Sequence, residues 1–216
     1  MRAPTARGTR RSWAWAAVAA VLLGSVAMAN ATAPPPNADP MTAAKTTVDD
    51  ALLVLANKTM PVEERRERLK QIVAATFDFS AMSRSAMGYH WTKLAPEQQQ
   101  EFVQVFTAFI QDSYLSKIND YQGQQVDFVR TMMDGDDYAQ VNSKIVQQGK
   151  QPLPVNYRLR KTAGGWKIYD VTVDAISIIA NYRNQFNRVM NNQGYETLIG
   201  DLKSKQESIA ASIGSN

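Results

Sequence analysis

The side chains able to do covalent chemistry are few. His90 is the only histidine and cysteine is absent, which excludes thiol nucleophiles, disulfides and a zinc site built from histidine pairs. Ser83, Ser85 and His90 lie close together, but no G-x-S-x-G turn surrounds either serine, so a hydrolase centre is not expected. Asp170 follows Trp166 and Ile168 in a strand-like run and has the type of a buried base in a cavity isomerase. The plainer reading is that it orders Arg183 or Tyr182. No G-x-x-x-x-G-K-[ST] segment is present, so the chain does not power work with a nucleotide. The expectation is a protein that is not an enzyme, with no cofactor and no metal, whose working residues are apolar.

Composition supports that direction. The chain has 216 residues, 44% of them hydrophobic, and a formal charge of +4. Arg2, Arg7, Arg10 and Arg11 precede every acid; without them 20 basic residues face 20 acidic ones. A uniformly basic nucleic-acid binder is therefore not expected. Those arginines are followed by an uncharged run from Trp13 to Val26 and by Ala27-Met28-Ala29, the layout of a cleaved export signal over residues 1–29. The run is short for a membrane span, which needs about 20 residues. Residues 30–45, rich in Ala, Pro and Thr, read as a disordered mature N-terminus, and residues 46–213 as the folded domain.

Periodicity then places the elements. A helix is expected from Val48 to Met60, capped by Thr47, and a second from Pro61 with Leu69, Ile72, Val73 and Thr76 on one face. A short helix covers Asp78–Met87, and a long one runs from Pro96 to Asn119 with apolar residues over a broad arc. Beyond Gly123 the period becomes two. Val126–Arg130, Ala139–Ile145, Val155–Leu159 and Trp166–Val173 alternate, with Gly135, Gly149 and Gly164-Gly165 between them. This predicts a four-stranded antiparallel meander with one wet face. Helices from Ala175 to Asn191, capped by Asp174, and from Tyr195 to Ile213 close the chain. The class is α+β, a curved sheet covered by helices with room for an apolar cavity.

The stretch from Phe77 to Leu202 resembles the MlaC family, also called the toluene-tolerance or ABC-transporter auxiliary family. FDFSAM at 77–82, Met87-Gly88, Trp91 and LAPEQQQEF at 94–102 carry the resemblance. So do VNYRLRKTAGGWKIYDVTV at 155–173, ISIIANYRNQF at 176–186, Gly194 and Leu198-Ile199. One departure is Ala175, where the family commonly has glycine. The resemblance implies a fold like nuclear transport factor 2 and a periplasmic carrier that holds the acyl chains of a phospholipid. It implies partners at both membranes, an inner-membrane ABC transporter complex and an outer-membrane lipoprotein complex. The outcome is maintained outer-membrane lipid asymmetry. A related branch suggests a hopanoid as alternative cargo; a cavity enzyme or a structural adaptor would be different classes of function.

A lipid carrier needs apolar surface to replace water around acyl chains. The strands offer Val126 and Phe128, then Val141 and Ile145, then Val155, Tyr157 and Leu159, then Ile168. The long helix offers Phe106, Phe109, Ile110 and Tyr114, and the segment after the strands offers Ile176, Ile179, Tyr182 and Phe186. Each is equally an ordinary core position. Basic residues concentrate from Lys144 to Arg188, with only Asp170 and Asp174 as acids. That half either meets anionic headgroups or an acidic partner, or is solvated surface.

Overall fold

The structure is a computed structural model that describes residues 34–115 and 120–214, with side chains as far as residue 211. The expected export signal at 1–29 lies outside the described residues. Helix α1 spans Pro40–Ala56, α2 Val62–Thr76 and α3 Phe79–Met87. A 3-10 segment, Gly88–Lys93, leads into α4, Pro96–Leu115. The strands are β1 Gln125–Asp134, β2 Tyr138–Val146, β3 Leu153–Thr162, β4 Gly165–Val173 and β5 Ile176–Ser177. Helices α5, Ile178–Asn192, and α6, Tyr195–Gly214, complete the chain.

The first helix begins earlier than its composition suggested. Asp39 accepts the Thr42 amide at 3.1 Å and Pro40 fills the first turn, the pairing that starts helices well. Residues 40–45 are therefore helical, not disordered, and Ala43 and Ala44 are buried. Small side chains there let α1 approach its neighbours closely. Pro36 also lies against Gly165, whose φ is +95° and whose added Cβ would meet the Pro36 carbonyl oxygen at 3.1 Å.

The sheet is antiparallel throughout in the order β1-β2-β3-β4-β5. Its register slips between Phe128 and Arg130 and between Arg158 and Leu159, and such bulges bend a sheet. The expected four strands gain a fifth, because the segment after β4 does not enter a helix directly. Asp174 and Ala175 take φ of 47° and 64°, turning the chain back so that Ile176 pairs with Val173 and Ser177 with Thr172. Ser177, not Asp174, caps the following helix by accepting the Ala180 amide at 2.9 Å. A left-handed alanine is disfavoured, which accounts for glycine suiting this position. Ala175→Gly is expected to stabilise the fold by about 0.5–1 kcal/mol, read as a higher urea midpoint at unchanged slope.

Among the described residues two hydrophobic clusters form. Helices α1 and α2 lie on the buried sheet face, joining Leu52, Leu55, Leu69 and Ile72 to Val141, Val155, Leu159 and Ile168. The second cluster joins α3, α4, α5 and α6 through Met82, Phe102, Phe106, Phe186 and Leu198. Between them, the link from α2 to α3 is tied to the sheet. Phe77 bridges Ile168, and the Asp78 amide donates to the Ile168 carbonyl at 2.8 Å.

Candidate functional site

The two clusters do not merge completely. Along their seam lies a cavity of about 150 Å³, within a wider space of about 1060 Å³ that opens to solvent. Helix α1 contributes Val48 and Ala51, and α2 contributes Leu69, Ile72 and Val73. Phe77, Phe79 and Met82 come from the α2–α3 link and α3. Ile110, Gln111, Tyr114 and Leu115 come from α4, and Val155, Tyr157, Ile168 and Val171 from the sheet. Ile178 and Ile179 open α5, and Thr47 completes the wall. Thr47 uses its hydroxyl on the Ala43 carbonyl at 2.9 Å, so it offers the cavity little polarity. The arrangement can hold hydrocarbon; nothing in the wall is a nucleophile with a base beside it.

Six of the sequence candidates meet at this wall: Ile110, Tyr114, Val155, Tyr157, Ile168 and Ile179. Phe106, Phe109 and Tyr182 do not. They pack in an aromatic core with Phe102 and Phe186, where Phe106 meets Phe186 at 5.3 Å and Tyr182 at 5.5 Å, and Phe109 meets Tyr182 at 5.7 Å. Offset and edge contacts of this kind fill space without leaving a void. Val141, Ile145 and Leu159 are solid core beneath α1 and α2. Val126 and Phe128 are half-buried at the outer strand β1, with Phe128 stacked on Tyr157 at 6.2 Å. Ile176 is 57% exposed, because β5 moves the start of α5 to Ile178 and turns Ile176 outward. Among the wall residues that strand and helix reasoning missed are those of α1 and α2. Their stripes were visible at Val48 and at Leu69, Ile72 and Val73, but nothing in the spacing says that a helix face borders a cavity.

Burial raises the Tyr114 and Tyr157 hydroxyls well above the ordinary tyrosine range, with Tyr182 and Asp170 adding to the effect at Tyr114. Tyr182 is pushed up to about 12 by burial. All three stay neutral phenols at physiological pH.

The candidate catalytic groups have other partners. His90 Nε2 lies 3.0 Å from Asn187 Oδ1, and its ring rests on Tyr89 at 3.9 Å. Ser83 is fully buried and its hydroxyl has no hydrogen-bond partner among the described residues. Asp170 does not order Arg183 or Tyr182; it accepts from Ser177 Oγ at 2.7 Å and from the Ile179 amide at 3.2 Å. Arg183 instead donates to the Ser85 carbonyl at 2.5 Å. Part of the basic half is likewise consumed by the fold. Arg160 pairs with Asp78 at 2.6 Å, Arg158 lies 3.9 Å from Asp170, and Lys167 donates to the Ala75 carbonyl.

Comparison with known proteins agrees with the cavity's chemistry. The family model described as MlaC protein matches residues 45–204. The toluene tolerance protein ttg2D of Pseudomonas putida is 28% identical over 129 residues, 59% of this chain and 60% of that protein. The intermembrane phospholipid transport system binding protein MlaC of Haemophilus influenzae is 25% identical over 121 residues, 54% of this chain and 56% of that protein. The matches thus span less than two thirds of these relatives' length. The structure of a phospholipid-binding protein from Ralstonia solanacearum, in complex with a phospholipid, superposes with a TM-score of 0.72 and 26% identity. It covers 80% of this chain and 99% of that one.

Proposed function

This chain belongs to the MlaC family, and from that premise we propose that it is a phospholipid-binding carrier of the periplasm. In this reading it is exported by a cleaved signal and receives lipid at one membrane complex. It releases lipid at another, between an outer-membrane lipoprotein complex and an inner-membrane ABC transporter complex. The work it does there is to keep the outer membrane's lipid asymmetry. The observation that carries the proposal is the apolar cavity at the seam between the two clusters, in a fold shared with a protein that holds a phospholipid.

The energetics suit the task. Each buried methylene contributes about 0.8 kcal/mol, so a dozen give on the order of 10 kcal/mol before ordering costs. A cavity of about 150 Å³ is the size that takes a benzene ring, so two acyl chains require the seam to widen. Side-chain packing between the clusters yields more readily than the hydrogen-bonded sheet. Among the described residues no helix is long and apolar enough to cross a membrane. The chemistry ends at binding and release, and the lipid leaves unchanged.

The test is native mass spectrometry of protein expressed with its leader and purified without detergent. A retained mass of phospholipid size is expected. Protein that emerges empty, even after incubation with phospholipid vesicles, would overturn the carrier reading.

A further inference from the structure

Two tyrosines stand out in the cavity wall. Tyr114 on α4 and Tyr157 on β3 both line it, and the hydroxyl of each is buried without a hydrogen-bond partner among the described residues. Ser143 lies close enough to Tyr157 to favour its ionised form slightly, yet outside hydrogen-bond geometry, and its own proton goes to the Val155 carbonyl at 2.9 Å. Phenylalanine fills comparable buried or half-buried positions at Phe102, Phe106 and Phe128, and Tyr121, the other core tyrosine with an unpartnered hydroxyl among the described residues, lies outside the cavity. An unpaired buried hydroxyl is costly and adds nothing to packing. Its retention at two positions of one cavity calls for an acceptor that arrives with the ligand.

We propose that Tyr114 and Tyr157 form a polar subsite that donates hydrogen bonds to the acyl-ester carbonyl oxygens of the bound lipid. The inference rests on the phospholipid reading and deepens it, because it names the linkage that the cavity recognises. Held neutral by burial, both phenols are donors across the physiological pH range. An ester carbonyl is a good acceptor that must give up water when its chains enter an apolar site. The two phenols restore what it loses. A diether lipid with the same chains and headgroup lacks those carbonyls and leaves the phenols unpaired, so the subsite discriminates between the two linkages.

The experiment compares delipidated mature protein binding a diester and a diether phospholipid of identical chains and headgroup, by displacement of a fluorescent fatty acid. The wild type is expected to bind the diester roughly tenfold more tightly, the order expected for one or two net hydrogen bonds. Tyr114→Phe and Tyr157→Phe together should erase that preference, the diester losing more affinity than the diether. Thermal unfolding of the delipidated variants reports their folding, and each single substitution should remove part of the preference if the double variant is unstable. Equal binding of both lipids by the wild type would overturn the subsite, as would a preference that survives the double substitution. Equal binding with phospholipid still retained overturns this inference alone; failure to bind either lipid overturns the carrier reading with it.

Discussion

Ala51→Trp is expected to lower co-purified phospholipid at least tenfold while leaving a folded, cooperatively unfolding protein. Ala51 lies on α1, is buried, and faces the cavity. An indole there grows into space that the lipid would otherwise occupy. Over-packing a dense core costs about 1–3 kcal/mol; growth into a cavity should fall at the low end of that range, because fewer packed neighbours have to move. Val141→Trp is the contrast. Val141 pairs with Thr131 on one side and Tyr157 on the other and is fully buried, without reaching the cavity wall. It should lose about 3 kcal/mol or more of stability, and any loss of lipid should follow from unfolding. Lipid content by mass spectrometry and urea unfolding of delipidated protein separate the two. Full lipid content in Ala51→Trp would show that the acyl chains lie elsewhere.

That contrast marks how far the sequence reaches. Alternation at Ala139, Val141, Ser143 and Ile145 shows correctly which side of β2 faces inward, since one sheet face is wet and the other dry. It does not distinguish solid core from cavity wall, because both demand the same residue types. Phe106 and Ile110 are one turn apart on α4. The first joins the aromatic core and the second borders the cavity. Only the approach of α1, α2 and α5 from distant parts of the chain separates them. The start of α1 was legible in principle, as Asp39-Pro40 is a cap followed by a first-turn proline, but the proline-rich stretch before it masked that signal. The turn at Asp174-Ala175 was not legible. Neither residue favours positive φ as glycine does, and the geometry is imposed by the pairing of β5 with β4. The phosphate-friendly role expected of the basic half is weakened in the same way, since Arg160, Lys167 and Arg183 bind carboxylate or carbonyl groups of the fold.

Asp170→Ala is expected to destabilise the protein by about 2–4 kcal/mol, the range for removing a buried charged acceptor from its donors. Asp170 is 4% exposed. Its carboxylate receives the Ser177 hydroxyl and the Ile179 amide, while the Ser177 oxygen in turn accepts the Ala180 amide. The carboxylate thereby fixes the cap of α5 and places Ile178 and Ile179 at the cavity wall. Arg158, half exposed and 3.9 Å away, adds little, because solvent screens the pair. Alanine would leave the Ser177 hydroxyl and the Ile179 amide without their acceptor. Asparagine keeps its one oxygen for the Ile179 amide and turns its NH2 toward the Ser177 oxygen, at the cost of the charge, so Asp170→Asn should lose less than alanine, about 1–2 kcal/mol. Urea unfolding of the delipidated variants measures this order. The same variants test the absence of chemistry, since a structural carboxylate and a catalytic one respond differently. Phospholipid recovered after incubation with wild type, Asp170→Asn and His90→Ala should be intact in every case. Lyso-lipid or free fatty acid released by the wild type but not by a well-folded Asp170→Asn protein would make Asp170 a catalytic base.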